Sequence, residues 1–60
     1  MNESEKLHLI NTCERVSKEY NISQDVLFNH VVEKYINKNK QWNNITVEHI
    51  ASKLKKKRTT

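Results

Sequence analysis

The chain has sixty residues and contains neither glycine nor proline. Without glycine, turns that need a positive φ lose their best residue, and asparagine is the substitute. Without glycine and proline, helices lose their two strongest breakers. Both absences favour an all-helical chain. They also exclude Gly-rich phosphate loops and every motif built on them. Cys13 is the single cysteine, so no intrachain disulfide can form, which suits a reducing compartment. No apolar run approaches the length of a membrane span, and no signal-peptide hydrophobic region is present. The expectation is a soluble, cytoplasmic protein with no membrane partner.

What is present is polar but not extreme. Hydrophobic residues make up 35% and charged residues 30%, more polar than most globular chains yet short of a disordered composition. A domain this small buries a modest share of its surface and is only marginally stable alone. Dimerisation is a common remedy, so a homodimer is among the expectations.

Apolar spacing divides the chain into three helices. Leu7, Ile10, Cys13, Val16 and Tyr20 recur three and four apart, which predicts a first helix over about 4–19 with one apolar stripe. Asn2 or Ser4 is placed to cap it, with Glu3 and Glu5 near its positive end. After a short link around Asn21, a second helix is predicted over about 24–37. Its wide apolar face of Leu27, Phe28, Val31, Val32, Tyr35 and Ile36 marks it as a central core helix or one side of an oligomer interface. The stretch NKNKQWNN reads as a loop, with Trp42 folded back as a lid on the core. A third helix is predicted over about 47–57, after Thr46, with Ile45, Ile50, Ala51 and Leu54 as its apolar side. The fold class expected is all-α: one compact three-helix domain with a basic C-terminal tail.

The last two helices start alike in sequence. Asn21-Ile22-Ser23 matches Asn44-Ile45-Thr46, 23 residues apart. Ser23 and Thr46 are read as N-caps, and each preceding isoleucine as a hydrophobic staple, Ile22 on Leu27 and Ile45 on Ile50. Both triplets also fit the N-x-[ST] glycosylation pattern, but without a secretory signal the capping reading is preferred.

The charge is divided by sign. Residues 1–37 carry four cations against six carboxylates, a balance of −2; residues 38–60 carry seven cations against Glu48, a balance of +6. Lys53, Lys55, Lys56, Lys57 and Arg58 fall within the last eight residues, more than the stabilisation of a helix C-terminus requires. Such an asymmetry points to a polyanion, since each lysine that neutralises a phosphate releases a counterion.

Catalytic and metal chemistry find no support. His8, His30 and His49 do not pair with one another or with Cys13 at the spacing of a local helical metal site, and no HExxH or CxxC motif occurs. Cys13 falls on the apolar stripe, where a cysteine acts as a small hydrophobe. Trp42 and Tyr35 are able to stack on bases, but core roles are preferred in so small a domain. No cofactor is expected.

Two resemblances follow from these residues. Thr46, Ile50, Ala51 and Leu54 stand as in the T-x-x-x-IA-x-x-L run that is similar to the first helix of many helix-turn-helix domains. Only Lys55 to Thr60 follow it, so the resemblance implies either a missing reading helix or a variant with the third helix itself in the groove. The segment ERVSKEYNISQDVLFNHVVEKYI resembles the helix pair of ribbon-helix-helix repressors, on Val16, Ile22, Ser23, Leu27, Val31 and Ile36. That family is dimeric and reads DNA with an N-terminal strand, whereas residues 1–6 here are acidic. Size and an Asn/Lys-rich composition also suit a phage- or plasmid-encoded accessory protein.

The function expected is that of a small, non-enzymatic DNA-binding regulator. Lys53, Lys55, Lys56, Lys57 and Arg58 would contact phosphates, with Lys38 and Lys40 assisting. His49, Ser52 and Lys53, read as exposed, would face the bases. The alternative is a protein-binding inhibitor or adaptor that docks its second-helix face or its basic end on a host protein.

Overall fold

The computed structural model describes residues 2–58, with side chains up to Lys56. These residues form three helices and no strand: α1 (Glu3–Tyr20), α2 (Gln24–Val31), continued by a π-helical segment (Val32–Ile36), and α3 (Asn44–Arg58). The all-α, three-helix architecture expected from the sequence is the one found.

Helix α1 is capped as its sequence dictates. The Asn2 side chain accepts a hydrogen bond from the Glu5 backbone N–H at 2.8 Å, while Glu3 and Glu5 lie in the positive first turn. It ends at Asn21, whose φ of 56° lies in the left-handed region that glycine would otherwise fill. The buried stripe, however, is Leu9, Thr12, Cys13, Val16 and Ser17. Leu7, placed on that stripe from the sequence, is 59% exposed. The reason is phase: Leu9 stands four residues before Cys13 and shares its face, whereas Leu7 stands six before it and does not. The two hydroxyls that this register buries turn back to their own helix. Thr12 Oγ1 donates to the His8 carbonyl and Ser17 Oγ to the Glu14 carbonyl, both at 2.8 Å, so neither is left unsatisfied.

Helix α2 starts at Ser23, whose hydroxyl accepts from the Val26 N–H at 3.4 Å. Ile22 packs against the core and Leu27 is fully buried within it, as the staple requires. The expected helix over 24–37 is continuous in direction but not in bonding. Beyond Val31 the bonds lengthen to five residues, with Asn37 N–H donating to Val32 and Lys40 N–H to Tyr35, each at 2.8 Å. A second left-handed asparagine, Asn39 at φ 56°, ends this segment.

Helix α3 departs from the expected start. It begins at Asn44, not after Thr46. Its cap is Asn43, whose Oδ1 accepts from the Thr46 N–H at 2.9 Å and the Thr46 hydroxyl at 3.1 Å. Thr46 is therefore a donor to the cap, not the cap. The shift changes the face. Val47, Ile50 and Ala51 are buried and Leu54 packs against the core, while Ile45 is 76% exposed and staples nothing. Ile45 stands five positions before Ile50, away from its face, whereas Val47 stands three before it. The likeness of the two Asn-Ile-Ser/Thr triplets is thus a likeness of sequence, and only the first acts as a cap.

The three helices pack pairwise around Leu9, Cys13, Val16, Leu27, Val31, Val47, Ile50 and Ala51. Trp42 lies against this core as expected and stacks on His8, with ring centroids 5.2 Å apart and an interplanar angle of 30°. No helix of the described residues is long and apolar enough to cross a membrane.

Candidate nucleic-acid interface

The face of α3 turned from the core carries the candidate residues. His49, Ser52, Lys53 and Lys56 stand at successive spacings of three, one and three, which is one stripe roughly opposite Val47, Ile50, Ala51 and Leu54. His49, Lys53, Lys55 and Lys56 are exposed. Ser52, read from the sequence as exposed, is half-buried. Lys55 lies off this stripe. The backbone of Lys57 and Arg58 completes the helix, and their side chains lie outside the described residues.

Lys38 and Lys40 are exposed in the link before α3. Lys40 borders a cavity of about 490 Å³ beside Glu5, His8, Trp42 and Ile36. That cavity carries both signs of charge, and the structure does not bring Lys40 to the cations of α3 around it.

A smaller cavity, of about 100 Å³, opens where α2 and its π-helical extension meet α3. Its walls carry His30, Lys34 and Tyr35 from one side and His49 and Lys53 from the other, with Ile50 and Leu54 as its apolar part. No carboxylate among the described residues borders it. The π-helical turn holds Lys34 and Tyr35 on this side while Ile36 borders the larger cavity. His30 is oriented by its own helix, since Nδ1 lies 2.9 Å from the Val26 carbonyl. A carbonyl only accepts, so Nδ1 carries the proton of that bond. Among the described residues, the side chains of Lys34, His49 and Lys53 have no ion-pair or hydrogen-bond partner.

Sequence reasoning selected His49 and Lys53 but missed His30 and Lys34. A signal was available: His and Lys stand four apart on both helices, as His30/Lys34 and His49/Lys53. Each pair shares a face, but nothing local says that the two faces meet.

The remaining chemistry is quiet. Burial pushes the Cys13 thiol up to about 11, which keeps it protonated and unreactive at neutral pH. Among the described residues no group of three or more His, Cys, Asp or Glu is placed to hold a metal ion. No family model, no curated protein and no solved structure matches the chain.

Proposed function

We propose that the protein is a small non-enzymatic DNA-binding regulator that lays the outer face of α3 against the phosphate backbone. One observation carries this reading: Val47, Ile50, Ala51 and Leu54 of α3 turn to the core and leave His49, Lys53 and Lys56 exposed on a helix that the core holds in place. Cations held on a rigid helix contact successive phosphates without the ordering cost of a free tail. Lys57 and Arg58 extend the same run in sequence. His49 and Lys53, both exposed, would be the residues to reach base edges, with the half-buried Ser52 in a lesser part.

The test is binding of a labelled duplex DNA across a salt series. The expected result is affinity that falls steeply with salt and weakens in a Lys53→Ala/Lys56→Ala variant whose helical content is unchanged. Absence of any complex at low salt overturns the reading and leaves the protein-binding alternative.

A further inference from the structure

We propose that the cavity between α2 and α3 is a binding site for one tetrahedral oxyanion, which in a DNA complex is a single backbone phosphate. The inference rests on the reading of α3 as a phosphate-binding face and extends it to the second helix. Size sets the class of ligand. About 100 Å³ is well above the roughly 10–15 Å³ that one water needs. It is below the roughly 300–1,000 Å³ of pockets that enclose drug-sized molecules. A phosphate or sulfate group fits, and a whole nucleotide does not.

Charge sets the sign. Lys34 and His30 face the cavity from the second helix, and Lys53 and His49 from the third. Tyr35 adds a hydroxyl, and α1 contributes no described residue to the walls. Basic walls without a bordering carboxylate concentrate positive potential in a concave, partly apolar space, where an anion is held more strongly than on a convex surface. Lysine ammonium groups donate to phosphate oxygens as point charges.

The probe is sodium sulfate, titrated into the full chain against sodium chloride of equal ionic strength. Amide NMR shifts are followed. Saturable shifts confined to the segments around residues 30–35 and 49–54 are expected. Lys34→Ala changes an exposed residue outside α3. It should weaken sulfate binding about tenfold, the effect of one charge-assisted hydrogen bond. The same variant should weaken duplex DNA binding and reduce the slope of log affinity against log salt by about 0.9.

Shifts that spread without saturating, or sulfate binding unaffected by Lys34→Ala, overturn the site. Sulfate binding that behaves as expected in a protein that ignores DNA upholds the cavity as a site for a free oxyanion and overturns the DNA reading alone. DNA binding with no sulfate shifts does the reverse.

Discussion

Cys13 has no exposed surface, and its thiol holds its proton to about 11 against an ordinary value of 9.0 because burial disfavours the thiolate. Between those two values the folded chain binds more protons than the unfolded one, so stability falls as pH rises. The contribution is complete below about pH 9 and is lost as the pH climbs toward 11, a change on the order of 2–3 kcal/mol. Urea titrations at stepped alkaline pH should show the native chain losing stability more steeply than a Cys13→Ala variant; parallel curves would contradict the assignment. Local spacing made this residue legible, since Cys13 shares a face with Val16 whichever neighbour completes the stripe. The run Leu7, Ile10, Cys13 at steps of three hid a drift in phase: Leu9, four before Cys13, shares its face, and Leu7, six before it, does not.

At the scale of the element, caps and helix ends divide by how local their physics is. Asn2 and Ser23 cap as expected because the side chain, its acceptor role and the donor three residues on are all within one turn. The third cap was misread because Asn43, Asn44 and Thr46 are all competent caps, and the triplet likeness favoured the last. Two substitutions separate the readings. Asn43→Ala should lower stability by about 1 kcal/mol, the typical value of an N-cap, while Thr46→Ala should cost distinctly less. A larger loss for Thr46→Ala in denaturant melts would place the cap back on the threonine. At the end of α1, Asn21 holds a backbone conformation that costs most residues about 1–2 kcal/mol. Asn21→Ala should therefore destabilise by about that amount, and Asn21→Gly should hold or raise stability; equal losses for both would show that the asparagine side chain is the cause. The π-helical extension after Val31 was not legible at all. It exchanges one hydrogen-bond register for another over five residues, and no residue type in Val32–Ile36 announces that exchange.

For the whole molecule, the fold class followed from composition and spacing, while the basic cavity did not, because it joins residues fourteen to twenty-four positions apart on two helical segments. The salt response is the property that belongs to this scale. Each phosphate neutralised contributes about 0.9 to the slope of log affinity against log salt, so Lys53→Ala/Lys56→Ala should flatten it by about 2. An unchanged slope in that variant would remove α3 from the interface. The division of charge, −2 over residues 1–37 and +6 over the rest, has a further consequence. The first helix packs directly on the third, so the carboxylate-rich and lysine-rich segments are carried on one body of about 36 × 20 × 18 Å. An uneven division of charge gives such a body an electric moment. On the DNA-binding reading, a polyanion would turn the chain before contact with its lysine-rich segment foremost, so that fewer collisions are wasted. The carboxylates of the early chain would then act on the rate of encounter, at a distance, without touching the partner.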